Sequence, residues 1–360
     1  MTVPALQPGT GTVPGEHLLL STPGTVSWGR LPNAASTPVL SVASGATVTF
    51  EALSHEGIMA DQGRDPVAFL AGFGVAAGDV LADAIEIAAS DLPNGPDDGP
   101  HVVTGPVAVA GARPGDVLRV DVLDLVPRQP YGFVSSRHGL GALPGELPED
   151  GVPAVFEFCP VSVAGGRLVS SVAAPDGRRA TFPLDPFLGV MGVAPATEDP
   201  VHSVPPGDHG GNIDIKWTRV GSSLYLPVQV DGGLFYVGDP HYAQGNGEVA
   251  LTAVEASLRA TLRLTVLSGD DAARAVGTLT SPVVETATHW VPTGMDVDLD
   301  EAMRQCVRRA LTFLTERFGL TRSTAMAYLS AAADFEVSQV VDTVKGIHCM
   351  IRKADFAAWV

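Results

Sequence analysis

Residues 257–267 read "SLRATLRLTVL", and this stretch constrains the fold most. Leu258, Ala260, Leu262, Leu264 and Val266 fall on one side, Arg259, Thr261, Arg263 and Thr265 on the other. Alternation of that length, with a period of two, predicts a strand with one face in a core and one face solvated. Such a strand needs sheet partners and a second layer over its apolar face.

Other segments repeat the signal. "GATVTFEAL" (45–53) and "GDVLRVDVLDL" (115–125) each run from a glycine turn into β-branched residues. "SLYLPVQV" (223–230) puts Leu224, Leu226, Val228 and Val230 on one face. Its Pro227 cannot donate to a ladder, which predicts an edge strand or a bulge. The 40 glycines and 29 prolines are spread along the chain, so many turns separate short elements. Helices are fewer. "DEAMRQCVRRALTFLTERFG" aligns Met303, Val307, Ala310, Leu311, Leu314 and Phe318, with Asp300 as the expected N-cap and Gly319 past the end. A second helix is expected from Thr321, and a shorter helical pair around 65–90. The fold class expected is mostly β (α+β): β-sandwich-like layers, a helical insert at 65–90 and a C-terminal helical pair at 300–333. The loop "PGELPEDGVP" (144–153) suggests a division into an N-terminal β-rich domain, 1–150, and a C-terminal one, 151–360.

Charge and cysteine usage narrow the function. Basic residues number 22 and acidic ones 40, a formal charge of −18, which opposes binding to nucleic acid or an anionic membrane. Cys159, Cys306 and Cys349 lie far apart and form no CxxC pair, which suits a reducing cytoplasm. The N-terminal stretch has no basic region followed by an apolar run, so no signal peptide is expected, and no apolar run reaches membrane-spanning length. The expected edge strands favour a homo-oligomer.

Three polar segments interrupt the apolar pattern: 99–116, "PPGDHGGNIDIKW" (205–217) and "GDPHYAQGNGEV" (238–249). The last two flank 223–230, so a hairpin-like arrangement would bring them together. His241 can serve as ligand or base, and Asp214, Asp239 and Glu248 as oxygen ligands or proton acceptors. A mixed His and carboxylate set suits Zn²⁺ with an open position. Glycines at 210, 211, 238, 245 and 247 leave backbone N–H groups uncovered, and Asn212 and Gln244 can steer an amide. The bland reading is that "GDP" and "GNG" are turn punctuation. His55 has no partner that spacing can place, His209 reads equally as solvated or functional, and His348 reads as surface or structural. There is no HExxH, Walker loop or GxSxG.

Taken together, "HVVTGPVAVAGARPGDVL" (101–118), "FLGVMGVAPA" (187–196), "PPGDHGGNIDI" (205–215) and the long run 224–255 resemble the acetamidase/formamidase family of amide hydrolases. The resemblance covers most of the chain and is weakest over 54–90 and the helical C-terminus. Two departures are visible: many members have Asp where this chain has Asn246, and often Asn-Pro where it has His101-Val102. The resemblance implies hydrolysis of short amides to a carboxylate and ammonia, and a divalent metal, zinc with calcium as the second choice. On that basis His241 and Asp214 are the expected metal ligands, with a third such as His101 or Asp239. Glu248 is the expected base, backbone N–H groups of the Gly-rich turns or Asn212 the oxyanion donor, and Gln244 a further catalytic group. Gly210, Gly211 and Gly245 are expected to bind substrate. The alternatives are a hydrolase of larger amides, with 54–90 as a lid or wall, and a non-catalytic metal- or ligand-binding β protein.

Overall fold

The computed structural model describes residues 4–359. Strands take 36% of the chain and helices 18%, so the architecture is mostly β, as the alternation implies. Two large sheets dominate. One has nine strands, and its centre is built by Leu258–Leu267 lying between Ala46–Ala52 and Val117–Pro127, antiparallel to both. The other has Phe187–Gly192 between Gly210–Asn212 and Phe235–His241, and continues through Val102–Val109 to Val26–Trp28. The main core lies between these sheets. Phe50 from the first meets Phe235 from the second edge to face, ring centroids 5.9 Å apart, with Leu258, Ala260, Leu262, Met191 and Val237 buried around them.

Two expectations are corrected. Ser223–Pro227 is an interior strand, paired with Val117–Pro127 on one side and Val283–Glu285 on the other. Pro227 is tolerated because it is the last residue of the strand. The outer face of Leu258–Leu267 is only partly solvated: Arg259 and Thr261 are buried, and Arg263 is exposed. Arg259 is buried because it is paired. Its guanidinium bonds Glu51 and the carbonyls of Thr10 and Thr12, so the N-terminal segment covers that face. Glu51 also meets the fully buried Arg128, whose other arm reaches Asp83 at 2.7 Å in the helical insert. Four charges that are each costly to bury are thereby held in one network.

The helices follow their local signals. Leu299–Phe318 is capped by Asp298, two residues before the expected position, and ends at Gly319 in the left-handed region at φ 67. Its Cys306, Ala310 and Leu314 pack on Ile347, Cys349 and Ile351 of the nine-stranded sheet. Thr321 caps Arg322–Ala332. In the insert, Asp65 caps Pro66–Ala71, and Ala82–Ala88 follows. A further helix, Gly269–Val276, was not expected; it is short and its turn-forming start, "GDD", reads as a loop. The division near residue 150 does not separate two sheets, since both large sheets draw strands from either side of it.

Candidate functional site

The six-stranded sheet assembles the site. Phe187–Gly192 lies between the two polar segments, with Val190 opposite Asn212 on one side and Gly238 on the other. The expected hairpin about 223–230 is therefore not the device; that strand belongs to the other sheet. Gly189 is what lets the segments meet. A Cβ there would lie 2.6 Å from Asp214 Oδ1, 2.6 Å from Asp239 Oδ2 and 2.7 Å from His241 Cε1. Asp214, Asp239 and Glu248 all adopt left-handed backbone, at φ 47, 50 and 45. Non-glycine residues pay for that conformation and concentrate at functional sites.

His241 is the hub. Its Nε2 lies 2.9 Å from Asp239 Oδ2 and 3.0 Å from Glu255 Oε1, without hydrogen-bond alignment to either. On the other side of the ring, Nδ1 lies 3.1 Å from Gln244 Oε1, and Gln244 Nε2 donates to the carbonyls of Asp214 and Ser338. Asp239 Oδ1 faces His55 at 3.5 Å, and its Oδ2 faces His101 at 3.7 Å. His101 Nδ1 is anchored on Ser203 at 3.0 Å. All these acids and imidazoles are buried.

The electrostatics follow from that crowding. Burial pulls the His241 imidazole down, but Glu255 and Asp239 outweigh it and hold it well above its usual value. Burial raises Asp239, yet His241 and His101 overcome this and keep it ionised well below the ordinary range. Asp214 and Glu248 go the other way: burial, reinforced by neighbouring carboxylates, lifts both well above it. Burial and Asp239 push Glu255 up to about 7. Burial lowers His55, but the Asp239 and Glu56 carboxylates beside it raise it to about 10, while burial takes His101 down to about 4.

The donor set fits a divalent cation. His241 Nε2, Asp239 Oδ1, both oxygens of Asp214, Glu248 Oε2 and Glu255 Oε2 are buried without hydrogen-bond partners. Three triplets have ligand atoms within 4.8 Å of one another: Asp214, His241 and Glu248; Asp239, His241 and Glu255; His55, His101 and Asp239. Nitrogen and carboxylate oxygen at that spacing are the ligands zinc takes.

Asp214, Asp239, Glu248, Glu255, His55 and His101 floor a cavity of about 780 Å³ that also exposes Asn212, Arg137, Asp342 and Lys345, with Met59, Leu140, Pro144 and Val341 among its apolar walls; His241 sits behind this floor, fully buried. The expected ligands His241, Asp214, Asp239 and His101 do come together, and Glu248 and Asn212 join them. Gln244 is absent from the cavity lining and acts as the anchor of His241. Gly210 and Gly211 do not line it either; they are tied up in pairing with Met191 and Gly192. Gly245 is exposed on the outside of its loop. His55, Glu255 and Asp342 were missed. Each is isolated in sequence, and only Glu255, inside the 224–255 run, had any signal nearby. His209, half-buried, and His348, buried, both lie away from the cavity lining.

Buried acids and imidazoles around one cavity define a hydrolytic site able to hold a cation. The sequence model of the Acetamidase/Formamidase family matches residues 79–202 and 196–352. A formamidase from Methylophilus methylotrophus is 29% identical over 301 residues, 67% of this chain and 73% of its own. An acetamidase from Mycolicibacterium smegmatis is 30% identical over 199 residues, 41% of this chain and 49% of its own. The crystal structure of an acetamidase from Bacillus halodurans is 29% identical, with a TM-score of 0.72 over 95% of this chain and 99% of its own. The chain belongs to the acetamidase/formamidase family. It is an amidase, a hydrolase, which sets aside the non-catalytic alternative. No helix among the described residues is long and apolar enough to cross a membrane.

Proposed function

We propose that the chain hydrolyses short-chain primary amides of formamide or acetamide size to a carboxylate and ammonia, with zinc as its cation and calcium as the alternative. The observation that carries the reading is the set of unpaired buried donor atoms on Asp239, Asp214, Glu255 and Glu248 at the floor of one cavity, with His241 Nε2 buried directly behind them. His241, Asp214 and Asp239, completed by Glu255 or His101, would hold the cation. A cation there supplies Lewis-acid polarisation of the amide carbonyl and acidifies water. Glu248 takes the proton from the attacking water at Oε2, an atom with no other hydrogen-bond partner, and passes it to the leaving amine. Gln244 keeps the His241 ring turned with Nε2 inward. The cytoplasmic location and homo-oligomeric state expected from the sequence stand as part of the same proposal.

The cavity volume favours a second reading, a larger amide. About 780 Å³ falls in the range that holds drug-sized ligands. Ammonia release from formamide, acetamide, propionamide and aryl amides, with and without a chelator and with zinc restored, tests both. Chelator-sensitive release from the smallest amides supports the first reading, and a best substrate among the aryl amides replaces it with the second. No release from any amide sinks both.

A further inference from the structure

Asn212 and Asp342 lie 130 positions apart in sequence and meet at the cavity wall. Asn212 ends the strand Gly210–Asn212, and Asp342 sits in the turn after Asp334–Gln339, at φ 60. Asn212 Nδ2 donates to Asp342 Oδ2 at 3.0 Å. That bond decides which end of the Asn212 amide faces where. Its NH₂ turns to Asp342, and Oδ1 is left a buried acceptor with no partner on a side chain 2% exposed. The Asp214 and Glu248 side chains beside the same cavity carry no N–H, and neither is hydrogen-bonded to Asn212 Oδ1. With Asp342 ionised, a flipped Asn212 would set its carbonyl oxygen against a carboxylate. Without Asp342 the flip is free, and the NH₂ could then serve any carbonyl, ester or amide alike.

We infer that Asp342 is a positioning residue that fixes Asn212 with Oδ1 ready to accept the N–H of the substrate's amide nitrogen, so that the site selects primary amides over the matching esters. The inference rests on the proposed amide hydrolysis and deepens it. It also reassigns Asn212, expected from the sequence to donate to the oxyanion. A site built to pair a substrate N–H discriminates strongly against the analogue that lacks it.

The test is the ratio of kcat/KM for acetamide to that for methyl acetate, measured on the full chain as purified. Asp342→Gly removes the acceptor and suits the left-handed backbone. Asp342→Asn keeps an acceptor in its own carbonyl and also tolerates that backbone. The ratio is expected to fall about 10- to 100-fold in Asp342→Gly, the size of one lost specific hydrogen bond. In Asp342→Asn it is expected to stay within about threefold of wild type, that being rescue by the conservative variant. Asn212→Ala, which deletes the acceptor itself, is expected to match Asp342→Gly. An unchanged ratio in Asp342→Gly overturns the inference, as does an Asp342→Asn ratio that falls equally far, because charge rather than orientation would then be what matters. A wild-type protein that releases no ammonia overturns the proposed function and this inference with it, whereas an active wild type with an insensitive ratio overturns the inference alone.

Discussion

Replacing Gly189 by alanine probes the convergence of the site with a single carbon. Gly189 does not occupy the left-handed region, so alanine carries no conformational penalty there and the effect is steric. The new Cβ would stand 2.6 Å from Asp214 Oδ1 and Asp239 Oδ2 and 2.7 Å from His241 Cε1, where ordinary contact begins at 3.4 Å. Each group must therefore retreat by about 0.7–0.8 Å. His241 has nowhere to go: the Phe187 ring lies edge-on at 5.0 Å, and Gln244 holds its far nitrogen. The strain opens the ligand cluster instead. Overpacking of this kind costs about 1–3 kcal/mol, and misplacing reacting groups by about 1 Å costs on the order of 10²-fold in rate. The expected result for Gly189→Ala is a folded protein that binds zinc substoichiometrically and loses about 10²-fold in kcat/KM for its best amide. Elemental analysis after reconstitution, far-UV circular dichroism and steady-state kinetics read the three quantities. Full zinc content with kcat/KM within threefold of wild type would refute the reasoning, because the three side chains could not then meet over Gly189.

Two further outcomes are expected. Glu248→Gln should lower kcat by about 10²–10⁴-fold with zinc content unchanged, the signature of a lost proton acceptor; loss of zinc in that variant would make Glu248 a ligand. Arg128→Met should leave Glu51 and Asp83 buried without their shared cation and cost about 3–5 kcal/mol in urea unfolding, and a loss below about 1 kcal/mol would show that solvent reaches the network.

Local signals were legible because they are local. The alternation at 257–267 needed only neighbouring residues, and so did the cap at Thr321 and the left-handed stop at Gly319. The motif at 238–248 could be read as chemistry because its Asp, His and Glu lie within one short stretch, at the end of the strand Phe235–His241 and in the loop after it. The interior place of Ser223–Pro227 could not be read, since a proline ends a strand or marks an edge with the same sequence signal. Nor could the burial of Arg259, which depends on Glu51 arriving from a strand some two hundred residues earlier.

The sequence by itself determined the β-rich architecture, the helices at their caps and half of the site. The other half exists only in three dimensions. His55, Glu255 and Asp342 carry no motif, and each enters the cavity because an element it follows or precedes is paired elsewhere. Glu255 bridges His241 just before Leu258–Leu267 begins, and Asp342 arrives because Val340 and Gly247 join the C-terminal turn to the polar loop. Side-chain period specifies that a strand forms, but sheet pairing is settled by long-range register and burial, and that pairing decided which isolated acids and imidazoles would face one another.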